Sequence, residues 1–195
     1  MTKKIAIIDY GAGNIQSVLF ALERLGVEAN LTNNPEEIKA AEKVIFPGVG
    51  HATPALNALK KTGLDLLIPQ LKQPVLGVCL GMQLMCRFSE ENNENALGIF
   101  DVDVKKFPAN EKVPHMGWNS IEVKENPLVK DIQDNSYFYF VHSYYAELGK
   151  ETIATTQYGL PFSAALQKDN FYGCQFHPEK SGGVGQKILE NFIKL

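Results

Sequence analysis

Cys79 is the residue best suited to nucleophilic chemistry, because it lies where one hydrophobic pattern gives way to another. The apolar run from Val75 to Val78 is short and rich in β-branched residues, as in a buried strand. After the cysteine, Leu80, Leu84 and Phe88 recur at helical spacing. We therefore predict that Cys79 occupies the turn between a strand and a helix.

Glycines lie two residues before and two residues after this cysteine. The pattern Gly77-x-Cys79-x-Gly81 resembles the nucleophile elbow of hydrolases, with cysteine in the place of serine. Such a turn would expose the thiol at the carboxyl end of a sheet, and the N-terminus of the following helix would favour the thiolate. A buried structural cysteine is the alternative, because free cysteines are commonly buried.

A nucleophilic cysteine needs a base, and the base needs a group that orients it. Of the four histidines, His177 is followed by Pro178 and Glu179, directly after the apolar segment 171–176. Proline keeps the preceding residue extended, and residues two apart in an extended chain face the same side. We therefore predict a triad in which Glu179 orients His177 toward Cys79, rather than an exposed histidine in a turn.

A glycine-rich loop could supply the second half of an oxyanion hole. Pro47-Gly48-Val49-Gly50 follows the apolar segment 43–46. In elbows of this kind one donor is the amide after the nucleophile, here Leu80, and the other comes from a second strand-end loop. Glycine tolerates the dihedral angles that such a loop requires, although an ordinary turn also favours glycine.

Composition is that of an ordinary globular protein, and we expect residues 1–195 to form a single domain. The formal net charge of −3 comes without a basic block, which argues against nucleic-acid binding. Three cysteines without C-x-x-C spacing argue against a disulfide framework or a zinc site, and we expect no metal and no cofactor. We see no signal peptide and no apolar run of about 20 residues, so we expect a cytoplasmic protein without a membrane segment.

Strands and helices alternate through the first half of the chain. The periodicity predicts strands at 4–9, 27–32, 43–46 and 75–78, a turn at 11–14, and helices at 15–25, 53–61 and 64–71, with a further short helix beginning at Pro35. Asn34 is the predicted N-cap of the second helix, with Pro35 at its first position. This alternation predicts an α/β fold with a doubly wound, mainly parallel sheet and helices on both faces.

The second half of the chain is richer in strands. After a polar loop at 89–95, strands are predicted at 102–107, 120–123, 137–145, 152–157, 163–167 and 171–176. They would form an antiparallel extension of the sheet. A helix at 184–194 closes the chain, and the side chains expected to face inward are Ile188, Leu189, Phe192 and Leu195.

Residues 77–83 (GVCLGMQ) and 175–179 (QFHPE) resemble the motifs of the class I, or triad, glutamine amidotransferases. Four further stretches resemble the glutaminase subunits of imidazole glycerol phosphate synthases, namely residues 8–14, 47–50, 114–119 and 140–144. The matching stretches extend from the first predicted strand to the segment before the last helix. No catalytic position departs from the family pattern.

The resemblance implies that Cys79 attacks the side-chain amide of glutamine and releases ammonia, leaving a glutamyl thioester that water hydrolyses. His177 would move the proton and Glu179 would orient it. Carried over by position, the residues of the glutamine and oxyanion pocket would be Gly48, Val49, Gly50, Leu80, Gln83, Ser143 and Tyr144. The family also suggests that the peptide at residues 49–50 rearranges to complete the oxyanion hole.

The resemblance further implies a heterodimer with a (β/α)8-barrel cyclase. That partner would use the ammonia and a phosphorylated ribulosyl-imidazole precursor to make imidazole glycerol phosphate and an aminoimidazole ribonucleotide. The partner-facing residues would be Asn14, Met116, Trp118 and Lys180. Free ammonia would be lost to bulk solvent as ammonium, so we expect a tight complex with a sheltered route between the two sites.

Two other functions stay open. One is a related glutaminase that feeds a different acceptor, such as a sugar-nucleotide pathway, and the other is a non-catalytic regulatory module of the same fold. Nucleotide binding is disfavoured, because Gln16 stands where the dinucleotide fingerprint needs its third glycine. The His177-x-Glu179 pair is shared with zinc deaminases, but the P-C-x-x-C motif of those enzymes is missing.

Overall fold

The computed structural model describes residues 4–11 and 14–195, and its centre is a nine-stranded sheet. The strands are β1 (Ile5–Ile8), β2 (Ala29–Thr32), β3 (Lys43–Phe46), β4 (Val75–Val78), β5 (Phe88–Ser89), β6 (Glu94–Asn95), β7 (Asp103–Lys106), β8 (His115–Val123), β9 (Ser136–His142), β10 (Tyr144–Ala146), β11 (Thr152–Tyr158), β12 (Leu160–Lys168) and β13 (Phe171–Cys174). The helices are α1 (Ile15–Arg24), α2 (Pro35–Ala40), α3 (Ala52–Thr62), α4 (Leu64–Leu67), α5 (Leu80–Met85) and α6 (Gly182–Lys194). Short 3-10 turns lie at Ile68–Gln70, Pro127–Val129 and Pro178–Lys180.

The strand order of the large sheet is β2-β1-β3-β4-β13-β12-β11-β8-β9. Strands β2 through β13 in this order are parallel, whereas β12, β11, β8 and β9 continue the sheet as antiparallel neighbours. The predicted α/β architecture, a doubly wound parallel sheet with an antiparallel extension, is therefore confirmed. Strand β13 joins the two halves, because it pairs parallel with β4 on one side and antiparallel with β12 on the other.

Helices cover both faces of the parallel half, and each face has its own hydrophobic core. In β1, Ile5 and Ile7 pack into one core with α1 and α6, while Ala6 and Ile8 pack into the other with α2 and α3. Alternate residues of a strand point to opposite faces, so a strand covered on both sides reads as continuously apolar. This explains why β1, β3, β4 and β13 are buried at every position.

A second sheet, in the order β10-β7-β5-β6, stands beside the large one, and it corrects two predictions. The helix after Cys79 ends at Met85, so Phe88 belongs to β5 rather than to the helical face. The predicted polar loop at 89–95 contains the end of β5 and all of β6. Arg87 redirects the chain here, since its amide donates to the Val102 carbonyl and its guanidinium binds Asp103.

Other boundaries differ in detail. Strand β8 begins at His115 rather than at residue 120, and the segment predicted as one strand at 137–145 is divided between β9 and β10 at Ser143. Leu195 is 37% exposed and does not face inward as predicted. The predicted N-cap is confirmed, because the Asn34 side chain accepts a hydrogen bond from the Glu36 amide. Ala12 and Gly13, in the turn predicted at 11–14, lie outside the described residues.

The described helices include none with the length and apolar content needed to cross a bilayer.

Candidate active site

Cys79 lies at the predicted strand-to-helix turn, between β4 and α5. Its backbone dihedrals are φ 53° and ψ −109°, a combination that non-glycine residues adopt rarely and mostly at functional sites. The Cys79 amide donates to the Cys174 carbonyl at 2.7 Å, which anchors the turn to β13. A Cβ on Gly81 would collide with the Phe46 carbonyl, so helix α5 can lie this close to β3 only with glycine there.

His177 and Glu179 are paired and almost wholly buried. The distance from His177 Nδ1 to Glu179 Oε1 is 2.8 Å, and both side chains are 1% exposed. The predicted contact between His177 and Glu179 is present. The backbone that produces it is not extended as predicted, because residues 178–180 form a 3-10 turn. The backbone is held as well: the His177 amide donates to the Tyr139 carbonyl, and the Ser181 hydroxyl donates to the His177 carbonyl.

The carboxylate fixes the tautomer of this histidine. With Nδ1 bonded to Glu179, Nε2 is left buried and without a hydrogen-bond partner among the described residues. Burial by itself would lower the pKa of His177, but the charge of Cys79 together with the hydrogen bond to and the charge of Glu179 outweigh it and raise the pKa to about 10. His177 is therefore protonated at neutral pH, and its imidazolium lies beside the Cys79 sulfur.

The other two cysteines, Cys86 and Cys174, are not suited to act as nucleophiles. Burial raises the pKa of Cys86, with a contribution from the charge of Glu151. Burial likewise raises the pKa of Cys174, with contributions from Glu179 and Cys79. Both therefore remain neutral thiols, and Cys79 is the one of the three that faces a cleft.

The glycine loop after β3 lies against the first turn of α5. A Cβ on Gly48 would lie 2.6 Å from the Gly81 nitrogen and 2.7 Å from the Leu80 Cβ. Gly50 has a φ of 104°, which favours glycine. Within residues 4–11 and 14–195, neither the Val49 amide nor the Gly50 amide donates a hydrogen bond. These amides and the Leu80 amide at the start of α5 are thus the available donors near the sulfur.

Cys79 opens into a cleft of about 600 Å³. Of the seven residues predicted for the pocket, all but Gly48 line this cleft, namely Val49, Gly50, Leu80, Gln83, Ser143 and Tyr144. The volume is within the range typical of small-molecule sites. Among the described residues, no three His, Cys, Asp or Glu side chains are grouped as metal ligands would be.

The cleft also contains charged residues that the sequence did not single out. Glu91 lines it, and its two oxygens accept from His51 Nδ1 and from the Ala52 amide, each at 2.7 Å. Lys106 lines the same cleft. Glu91 is one of three glutamates in a segment that was predicted to be a loop, and nothing in its local pattern distinguishes it from the other two.

Three of the four residues predicted to face a partner, Met116, Trp118 and Lys180, are exposed. Met116 and Trp118 are 66% and 56% exposed, and Tyr137 beside them is 59% exposed. Lys180 is exposed, with its ammonium 5.8 Å from the centre of the Tyr139 ring. Asn14 is half-buried, and its side chain accepts from the Ser17 hydroxyl instead of capping α1.

A family model described as "Glutamine amidotransferase class-I" matches residues 6–195. The chain belongs to the class I glutamine amidotransferases. Its relatives include proteins named "Imidazole glycerol phosphate synthase subunit HisH" from Bacteroides fragilis (strain YCH46), 58% identical over 98% of this chain and 100% of that protein, and from Vibrio cholerae, 44% identical over all of both chains.

Solved structures show that this amidotransferase shares its fold with proteins of low sequence identity. PurLQS from Thermotoga maritima has a TM-score of 0.80 at 15% identity, covering 100% of this chain and 99% of that one. A glutamine amidotransferase from the same organism has a TM-score of 0.65 at 15% identity, covering 100% of this chain and 84% of that one.

The buried His177–Glu179 pair should affect the reactivity of Cys79 in this amidotransferase. Replacing His177 by Asn removes the imidazolium beside the sulfur, so a smaller fraction of Cys79 should be ionised at neutral pH. Alkylation of Cys79 by iodoacetamide at pH 7 should therefore slow by about tenfold or more. The difference from wild type should vanish as the pH rises past the thiol range, where the sulfur ionises unaided. Glu179→Gln should give a smaller effect, because it leaves the imidazole in place.

Proposed function

We propose that this amidotransferase is the glutaminase subunit of an imidazole glycerol phosphate synthase. It hydrolyses glutamine to glutamate and ammonia in the cytoplasm and delivers the ammonia to a (β/α)8-barrel cyclase in histidine biosynthesis. The observation that carries the chemistry is the buried His177–Glu179 pair beside the strained Cys79 turn. The names of the full-length relatives support the choice of acceptor and the second subunit.

The reaction begins with the thiolate of Cys79, which attacks the carboxamide carbon of glutamine. The carbonyl oxygen becomes an oxyanion, and the Leu80 amide together with an amide of the 47–50 loop stabilises it. As the C–N bond breaks, the His177 imidazolium donates its Nε2 proton to the leaving nitrogen, and ammonia departs. Water then attacks the thioester and gives a proton to His177, releasing glutamate and restoring the thiolate.

The cleft is suited to the charges of free glutamine. The substrate carries an ammonium and a carboxylate at its α-carbon, and the cleft offers the Glu91 carboxylate and the Lys106 ammonium. The side-chain nitrogen of Gln83 is already hydrogen-bonded within the protein. Its Nε2 donates to the Tyr144 carbonyl and to Gln175 Oε1, each at 2.8 Å. Its oxygen therefore remains to accept a hydrogen bond from the substrate.

The glycine loop is the element through which a partner could control the rate. The Val49 and Gly50 amides have no internal acceptor among the described residues, so either can turn toward Cys79 at little cost. The loss of one oxyanion donor costs on the order of 10²–10³ in rate. A loop that orders on docking would keep the isolated chain nearly idle and prevent wasteful hydrolysis of glutamine.

The exposed patch formed by Met116, Trp118 and Tyr137 is suited to bind the cyclase. Trp118 pairs with Tyr139 across the β8–β9 ladder, and Met116 pairs with Val141. The Tyr139 carbonyl accepts from the His177 amide, and the Val141 carbonyl lies 3.8 Å from Cys79 Sγ. The patch therefore lies on β8 and β9, and the backbone of β9 contacts both His177 and Cys79, so a partner bound there would be close to the site where ammonia is released.

The nucleophile is tested by Cys79→Ala in the complex with the cyclase subunit of the same organism. Glutamine-dependent synthesis should be lost, while synthesis from an added ammonium salt should continue, because only ammonia generation is removed. Product formation from each nitrogen source is the measurement. Cys86→Ala is the matched control and should retain glutamine-dependent activity. Equal glutaminase rates in Cys79→Ala and wild type would end this assignment.

The docking surface is tested by Trp118→Ala. Burial of a tryptophan at the centre of an interface contributes about 2 kcal/mol or more, so the Kd for the cyclase, measured by calorimetry, should rise by roughly 30-fold. Leu66→Ala is the control, since Leu66 on α4 is an apolar residue that is 69% exposed. An unchanged Kd for Trp118→Ala would place the cyclase elsewhere.

A further inference from the structure

We propose that Gln175 is a positioning residue that holds the Cys79 sulfur and favours its ionised form. The proposal rests on the proposed function in taking Cys79 as the nucleophile. Gln175 is fully buried, directly after β13, and its Nε2 lies 3.6 Å from Cys79 Sγ. Its own amide donates to the Ala164 carbonyl at 2.8 Å, so the backbone is fixed by β12.

The orientation of the Gln175 carboxamide follows from its neighbours. The Tyr144 carbonyl can only accept, so the end of Gln83 that lies 2.8 Å from it is the amino group. The same Gln83 nitrogen is 2.8 Å from the second carboxamide, so the atom it meets there is the oxygen of Gln175. The amino group of Gln175 is then the end that faces the sulfur, and it can only donate.

Two neutral histidines hold the far end of this chain of hydrogen bonds. His142 Nδ1 donates to the Tyr144 carbonyl at 2.7 Å, so its Nε2 accepts from His115 Nδ1 at 3.1 Å. Burial lowers the pKa of His142 to about 3 and the pKa of His115 to about 4, so both rings stay uncharged. The carbonyl that orients Gln83 is thereby locked in place, and so is Gln175.

The two polar contacts of the sulfur favour opposite protonation states. The Val141 carbonyl at 3.8 Å can only accept, so it stabilises a thiol that points its proton at it. The Gln175 amino group can only donate, so it stabilises a thiolate. Removal of the donor leaves the acceptor in place, and the sulfur shifts toward the protonated, unreactive form. The titratable side chains around the sulfur include Tyr10, Cys174 and His177, whose pKa values respond to its charge. His51, Glu91, Lys106, His142 and Tyr144 line the same cleft.

Gln175 and His177 act on the Cys79 sulfur in different ways. The imidazolium supplies the charge and the proton, whereas the carboxamide supplies a neutral donor from β13 on the core side of the elbow. A hydrogen bond to a charged group contributes enough free energy to change an equilibrium by about 10- to 100-fold. Loss of the Gln175 donor should therefore be visible in the ionisation of Cys79 even with His177 intact.

The test compares Gln175→Met, which removes the donor at similar length, with Gln175→Glu, which keeps an acceptor for Gln83 but puts an oxygen toward the sulfur. Iodoacetamide alkylation of Cys79 is followed from pH 5 to 10 by mass spectrometry, and kcat and KM are measured in the cyclase complex. Gln167→Met is the matched control, because the Gln167 side chain on β12 donates to the Asp169 carbonyl in the adjoining turn and has no hydrogen bond to Cys79 among the described residues. Thermal unfolding reports whether each variant is folded.

We expect the alkylation midpoint to rise by about one pH unit in Gln175→Met and by more in Gln175→Glu. In both variants kcat should fall about tenfold or more while KM changes little, and Gln167→Met should match wild type. Folded Gln175 variants with a wild-type alkylation profile would overturn the proposal. If alkylation of wild-type Cys79 leaves glutamine hydrolysis intact, the proposed function fails instead, so the two failures are distinguishable.

Discussion

The parallel pairing of β4 with β13 is the constraint on which the site depends. In this ladder Val78 lies opposite Cys174, so the next residues of both strands emerge at one edge of the sheet. Cys79 follows the first strand, and the segment 175–179 follows the second. This pairing brings together residues that are almost 100 positions apart in the chain. The 2.7 Å hydrogen bond from the Cys79 amide to the Cys174 carbonyl fixes the position of the Cys79 turn relative to β13.

The charges around Cys79, His177 and Glu179 then determine the chemistry of the site. A buried imidazole would ordinarily lose its proton, because desolvation disfavours the charged form. Here the Glu179 carboxylate and the Cys79 sulfur reverse that preference for His177, and Glu179 itself is held in a site where its second oxygen has no partner among the described residues. The protonated His177 is thereby held beside the Cys79 sulfur, where its proton can be transferred to a leaving group.

The sequence predicted the parts of this site whose causes are local. Glycines 77 and 81 around Cys79 predicted the strand-to-helix turn, and the apolar runs predicted β1, β3 and β4 within a residue or two. The contact between His177 and Glu179 was predicted as well, but through extended backbone, whereas residues 178–180 form a 3-10 turn in which the Lys180 amide donates to the His177 carbonyl.

Features that depend on distant contacts could not be predicted in the same way. Gln175 and Glu91 act through partners that lie 40 to 96 residues away, namely His51, Gln83 and Cys79. Strands β5 and β6 are two residues each, too short to leave a periodic signal. They are strands because β5 pairs with β7 and β6 pairs with β5. Trp118 lies outside the strand predicted at 120–123, so its place opposite Tyr139 in the β8–β9 ladder was not anticipated.

We propose that Cys79 forms a covalent glutamyl thioester during turnover. Mass spectrometry of the complex can detect this intermediate. The complex is quenched with acid during glutamine turnover and digested, and the peptides are compared with those from Glu179→Gln and Cys79→Ala samples. The account predicts a glutamyl group on the peptide that contains Cys79, and none in Cys79→Ala. A glutamyl group on another residue, or turnover that proceeds without any covalent intermediate, would contradict it.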